Sequence, residues 1–298
     1  MALRIITGII GVIIAAVVIQ LGGAPFAGFA IFLSLVAWHE YSSAFRRAGF
    51  DTAYILSALT LVLLLFCAWL GNIEELLAVL TLGSLAIFLL TVLLSMRPTE
   101  ACISVAGLFY IGLPFSHLIM LRFLADEPHQ IASLVNFANF VSEKAAAVGE
   151  MSFFQTIANL NMDDGCALIW VLFACTWASD IFAYFIGTAI GSHKLAPSIS
   201  PNKTVEGILG SLVGTTLTAI IVGCFLFGFP LTQMATAGVL IAIVATLGDL
   251  VESVIKRFTG IKDSGILFPG HGGVLDRFDS VLYTAPVFYY FIVASRIV

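Results

Sequence analysis

The chain is a succession of long apolar runs broken by short polar connectors. At about 20 residues per membrane crossing, the runs predict about nine helices, over roughly 3–21, 25–41, 53–71, 76–95, 101–121, 165–187, 205–228, 231–251 and 280–297. The runs are continuous rather than alternating with a period of two, which selects helices over barrel strands. Breakers stand where connectors are needed, at Gly22-Gly23-Ala24-Pro25, Arg97-Pro98 and Phe229-Pro230. Spans one and two, and seven and eight, are close enough to form tight hairpins. One connector is long, 122–164, and holds two apolar stretches too short to span, Ile131–Val141 and Phe153–Leu160. They read either as helices lying in the interface or as a small packed lid. The expected organisation is a five-helix region 1–121, the connector 122–164, and a four-helix region 165–298 that carries the chemistry. Arg4 before an apolar run has the form of a signal peptide, but eight further spans make a retained first helix the expectation.

Composition removes whole classes of protein. Apolar residues make up 60% and charged residues 10%, with a net charge of −5, and the mean hydropathy is +1.07. A soluble domain has about 45–50% apolar and 25% charged residues. A water-soluble enzyme, a disordered chain and a basic nucleic-acid-binding module are therefore excluded. The fold class expected is all-α, a polytopic integral membrane protein.

With nine spans, the side holding the N-terminus carries Arg4, Arg46, Arg47, Arg97, Lys194, Lys203, Lys256, Arg257, Lys262 and Arg277. The other side holds only Arg122, Lys144 and Arg296. The positive-inside rule then puts the N-terminus and the polar loops of the last third in the cytoplasm. The acidic connector 122–164 falls outside it. The five cysteines form no C-x-x-C pair and read as packing residues. His39, Glu40 and His117 read as interfacial or packing residues.

Charge gathers in the last 120 or so residues. Asp180 sits in apolar surroundings, Trp177-Ala-Ser-Asp-Ile-Phe-Ala-Tyr184, where an ionisable group is costly and points to function. The connector 191–207 offers Lys194, Lys203, hydroxyls at Ser198, Ser200 and Thr204, and Glu206 at a helix mouth. Donors at a helix start beside a lysine suit a phosphate; a solvated, capped loop has the same appearance. Asp249, Glu252, Ser253 and Lys256 share one face of the eighth helix, bordered by Arg257. Then come Lys262-Asp263, the glycine-rich Pro269-Gly-His-Gly-Gly273, and Asp276 and Asp279 three apart at the next helix start. Carboxylates from facing helices with cations nearby suit magnesium held between protein and polyphosphate. No P-loop motif is present.

The run from Ser253 to Asp279 resembles the signature of the phosphatidate cytidylyltransferases, also called CDP-diacylglycerol synthases. It carries Ser253, Lys256, Arg257, Lys262, Asp263, Gly265, Phe268, Pro269, His271, Gly272, Gly273, Asp276, Arg277 and Asp279. Two weaker segments are similar upstream, Ser179–Tyr184 and Ser200–Gly207. The second departs from the family in having Asn202 for Lys and Val205 for Trp. Motif-level resemblance covers about 177–280.

The resemblance implies that CTP and phosphatidic acid give CDP-diacylglycerol and pyrophosphate, with Mg²⁺ and room for a second cation. The setting it implies is the bacterial cytoplasmic membrane, with membrane lipids around a homodimer and no nucleic acid. Asp249 and Asp276 would then hold the metal, with Asp279 as a further ligand or outer partner. Lys203, Lys256 and Arg257 would neutralise the CTP phosphates or pyrophosphate, and Ser200 and Ser253 would donate hydrogen bonds. Asp180 would orient a lysine or read the nucleotide, and His271 would contact phosphate or hold the glycine loop. Thr204, Glu206, Lys262, Gly272, Gly273 and Arg277 complete the substrate-binding set. Two other readings stand beside this one: a CDP-alcohol phosphotransferase, and an ion- or proton-coupled transporter lined by Asp180, Asp249 and Glu252.

Overall fold

The computed structural model describes residues 2–124, 163–265, 267 and 272–297. The stretches Ile131–Val141 and Phe153–Leu160, and Phe268, Pro269 and His271 of the signature, lie outside the described residues.

Among the described residues the chain forms nine helices. They are α1 (Ala2–Leu21), α2 (Gly23–Arg47), α3 (Tyr54–Trp69), α4 (Ile73–Leu93), α5 (Pro98–Arg122), α6 (Asp164–Ile190), α7 (Val205–Leu226), α8 (Leu231–Thr259) and α9 (Leu275–Ser295). α5 is interrupted by a π-helical turn at Leu108–Gly112, and α7 ends in one at Ile220–Leu226. α4 to α9 are each long and apolar enough to cross a bilayer; α3 and the Ile10–Leu21 part of α1 are shorter apolar helices. The protein is an integral membrane protein. Large side chains such as Val92, Ile55 and Phe225 face outward, as lipid permits.

Local chemistry sets the helix ends. Asn72 accepts the Glu75 N–H at 3.2 Å to start α4, and Pro98 opens α5, where its missing N–H costs nothing. Asp163 caps α6 through the Cys166 N–H at 2.6 Å, and left-handed Gly260 ends α8. Lipid tails are as apolar as leucine, so close packing rather than water exclusion holds such helices together. α7 packs against α6 and α8, α8 against α9, and α9 against α5. Small residues allow the α6–α7 approach: a Cβ at Gly210 or Gly214 would run into Ile186 or Phe182.

At one end of the bundle, buried Arg122 donates to the Ile19 carbonyl at 3.1 Å and pairs with Asp163 at 2.8 Å, tying α1, α5 and α6 together. Trp38 and Trp69 are buried in the packing. None of the five cysteines is in a disulfide. At the opposite end lie the C-terminal parts of α2, α6 and α8, the starts of α7 and α9, and a two-stranded antiparallel hairpin, β1 (Lys194–Ala196) and β2 (Ser200–Thr204). Among the described residues the hairpin is the one departure from the all-α expectation.

Candidate active site

The hairpin is fastened to α7 by the residues at their junction. Thr204 accepts the Gly207 N–H at 3.1 Å and so caps the helix. Glu206 reaches back to Ser192 Oγ at 2.8 Å, to the His193 N–H at 3.2 Å and to His193 Nδ1 at 2.6 Å. Thr204 and Glu206, expected to bind substrate, have their side chains engaged in this junction. The cap of α7 and the last strand leave Lys203 reaching inward, where its ammonium donates to Asp249 Oδ2 at 2.8 Å and to the Thr246 carbonyl at 3.1 Å.

Asp249 belongs to a group of three carboxylates. Ligand oxygens of Asp249 and Glu252 on α8 and of Asp279 on α9 all lie within 4.8 Å of one another. The two helices come this close because position 248 is glycine: a Cβ there would stand 2.7 Å from the Asp279 carbonyl and 3.2 Å from the Ser280 Cα. Glu252 Oε2 pairs with Lys256 at 2.5 Å, whereas Glu252 Oε1 is buried with no hydrogen-bond partner. Asp279 Oδ1 accepts the Ser280 N–H at 2.6 Å, and Ser253 Oγ lies 3.4 Å from Asp249 Oδ1. Three like charges with one buried oxygen unsatisfied form an arrangement that a cation completes. The donors are all hard oxygens, the ligand type that a divalent cation such as the expected magnesium takes.

Asp276, expected as a metal ligand, is held apart from this group. It stands in the first turn of α9, and its carboxylate folds back onto the loop before the helix. It accepts from the Gly273 N–H at 2.8 Å, the Ser264 N–H at 2.9 Å and Ser264 Oγ at 2.8 Å, and pairs with Lys256 at 3.0 Å. Lys256 therefore bridges Glu252 and Asp276. Left-handed Gly272 (φ 85°) makes this fold possible, since a Cβ there would meet the Asp276 carboxylate.

A cleft of about 310 Å³ opens beside the carboxylates, between α6, the hairpin, α7 and α8. Its lining includes the polar Asp180, Ser200, Lys203 and Asp249 and the apolar Ala183, Tyr184 and Ile208. Asp180 is within electrostatic reach of Lys203, Arg277 and Asp249. Arg257 is exposed and donates to the Ile199 carbonyl at 3.2 Å, bracing the hairpin turn. Lys262 is exposed on the loop after α8, and Arg277 is exposed on the first turn of α9.

Glu252 was visible in sequence on the Asp249 face but was not expected as a ligand. Glu40 was read as a packing residue, yet it touches the loop that carries Asp276: its carboxylate accepts the Val274 and Leu275 N–H groups at 3.0 and 2.9 Å.

The fold and this site describe a membrane protein that assembles acids and bases around a polar cleft at one end of its bundle. The chain belongs to the cytidylyltransferase family, whose model matches residues 2–295. It is 34% identical over 293 residues to a phosphatidate cytidylyltransferase of Synechocystis sp., covering 97% of this chain and 96% of the relative. It is similar to proteins of the same name from Staphylococcus haemolyticus (31% over 294 residues; 96% and 97%) and Brucella abortus (33% over 294 residues; 97% and 92%). The protein is a nucleotidyltransferase, which sets aside the transporter and phosphotransferase readings.

Proposed function

We propose that the protein transfers the cytidylyl group of CTP to phosphatidate, giving CDP-diacylglycerol and pyrophosphate. The observation that carries this reading is the group of three carboxylates flanked by Lys203 and Lys256 at the edge of a cleft lined by both polar and apolar side chains. Such a place receives a charged phosphate and a lipid together.

The lipid phosphate is the nucleophile. A phosphate monoester has its second pKa near 6, so the group is already largely dianionic at neutral pH and needs no dedicated base. One of its oxygens bonds to the α-phosphorus of CTP while the bond from that phosphorus to the β-phosphate oxygen breaks. Pyrophosphate leaves with the electron pair, and no net proton transfer is required. The obstacle is repulsion between two anions, so catalysis rests on positioning and charge neutralisation.

Asp249, Glu252 and Asp279 would hold Mg²⁺, which when bound neutralises triphosphate charge. A second cation stays within this reading. Lys203 and Lys256 balance the acids in the resting protein and turn to phosphate oxygens when substrate arrives. Ser200 and Ser253 donate hydrogen bonds, and Asp180 orients Lys203 or Arg277. Arg257, Lys262 and Arg277, exposed at the same end, draw in the anionic nucleotide. The charge asymmetry of the loops supports a cytoplasmic position for this end in a bacterial cell, where CTP would reach it. The acyl chains would enter from the bilayer past Tyr184 and Ile208, and the functional unit would be a homodimer.

The test is to incubate purified protein with labelled CTP, phosphatidate and Mg²⁺ and identify the products. CDP-lipid and pyrophosphate in equal amounts are expected. Release of CMP, or no lipid-linked cytidine, would overturn the reading.

A further inference from the structure

Glu40 stands near the end of α2, more than 210 residues before the signature run, and its side chain is buried (4% exposed). Burying a carboxylate is costly unless it is fully hydrogen-bonded or paired with a cation. Among the described residues Glu40 forms no ion pair. Its partners are two consecutive backbone N–H groups, Val274 to Oε1 at 3.0 Å and Leu275 to Oε2 at 2.9 Å, with Ser264 Oγ at 3.4 Å from Oε2.

Those N–H groups belong to the first turn of α9, which has no side-chain cap of its own: Val274 stands at the cap position in helical conformation. A helix start leaves N–H groups without intrahelical partners, and here the carboxylate that satisfies two of them comes from another helix. Its negative charge also suits the positive end of the α9 dipole. The same turn carries Asp276, and Asp279 follows one turn later. Two glycines make room for Glu40, because a Cβ at Gly265 or Gly273 would collide with its carboxylate. Both lie in the signature run, so two of its small residues are explained by a side chain far outside it.

We propose that Glu40 is a positioning residue for the cytidylyl transfer: by capping α9 across the bundle it holds Asp279 within the acidic group and Asp276 against Lys256. This rests on the reaction proposed above. It also makes the five-helix region part of the catalytic apparatus and not only a membrane anchor.

The experiment uses the full-length protein in detergent, assayed for CDP-lipid formation over a range of Mg²⁺ and CTP concentrations. Glu40→Gln keeps the side-chain volume but turns an amide NH₂ toward one of the two N–H groups. Expected are a fall in kcat of roughly 10–100-fold and a rise in the half-saturating Mg²⁺ concentration, with KM for CTP at saturating Mg²⁺ unchanged. Gly265→Ala, which intrudes on the Glu40 carboxylate, should show the same pattern. In a Glu40→Ala background it should cost nothing further, because the two positions act as a unit.

Wild-type kcat and Mg²⁺ dependence in Glu40→Gln, or additive losses in the double variant, would overturn the proposal. If Glu40→Ala does not fold, as judged by thermal unfolding, Glu40→Gln and Gly265→Ala decide. Wild-type protein that makes no CDP-lipid overturns the reaction instead. The proposal about Glu40 is then decided by whether Mg²⁺ alone raises the thermal midpoint of wild type more than that of Glu40→Gln.

Discussion

Neutralising Glu252 separates the metal site read from geometry from the one read from sequence. Two carboxylates whose oxygens lie 4.8 Å apart, the outer limit within the group, repel by about 3.5 kcal/mol at an effective dielectric constant of about 20. Glu252→Gln removes two of the three such pairs, about 7 kcal/mol before compensation. Compensation is large: Lys256 lies 2.5 Å from Glu252, Lys203 lies 2.8 Å from Asp249, and the Asp249 side chain is 32% exposed, so solvent screens it. At the same dielectric constant the Lys256 pairing at 2.5 Å is worth about 6.6 kcal/mol, so attraction and repulsion nearly cancel in the cation-free protein.

The two states differ. Without a cation the variant loses the Lys256 pairing along with the repulsion, so its unfolding temperature should stay near that of wild type. With a cation it lacks one charged ligand, so the half-saturating Mg²⁺ concentration should rise about 10–100-fold, in activity and in thermal protection alike. Asp276→Asn is the comparison. Its contacts are to the loop and to Lys256, so it should lower kcat and move the Mg²⁺ midpoint less than Glu252→Gln does. The assay is a Mg²⁺ titration of CDP-lipid formation alongside detergent-phase thermal unfolding. If Asp276→Asn shifts the midpoint more than Glu252→Gln does, the assignment of Glu252 to the metal group is wrong.

Lys203→Met, which removes the cation shared by Asp249 and the cleft, should cost on the order of 10²–10³-fold in kcat/KM, as loss of one charge-stabilising donor does; steady-state kinetics over a CTP series checks it. Gly272→Ala forces a residue with a Cβ into φ 85° against the Asp276 carboxylate, and should destabilise by about 1–3 kcal/mol, read as a lower thermal midpoint together with a lower kcat. Thr204→Val removes the α7 cap and should cost about 1 kcal/mol of stability while leaving KM for CTP at the wild-type value; a raised KM without loss of stability would return Thr204 to the substrate.

Most of the helical frame was legible because a membrane-spanning helix writes itself as an uninterrupted apolar run, and the structural helices overlap all nine expected ranges. The apolar runs end near 251 and resume near 280, whereas α8 continues to Thr259 and α9 begins at Leu275, in keeping with the shared face of Asp249, Glu252, Ser253 and Lys256 and with Asp276 and Asp279 at a helix start; a helix may carry charge once its neighbours satisfy it. The hairpin was not legible: Ser200-Pro-Asn-Lys-Thr204 has no period-two pattern, and its pairing depends on junction bonds such as the Val205 N–H to the His193 carbonyl at 2.9 Å.

The site was legible as a set of residue types but not as a set of partners. Helical spacing put Asp249, Glu252 and Lys256 on one face, and the structure agrees. Spacing alone favoured Asp276 as a metal ligand because it lies three residues before Asp279. A carboxylate in the first turn of a helix, however, has nearby backbone N–H groups competing for it, and here Gly273 and Ser264 take it. That competition depends on the path of a loop, which residue spacing does not encode. Glu40 is the extreme case: an acid at the end of an apolar run looks like an interfacial residue, and only the meeting of α2 with α9 shows which N–H groups it satisfies. The chemistry of this protein is local in sequence, whereas the geometry that holds its acids in place is drawn from both halves of the chain.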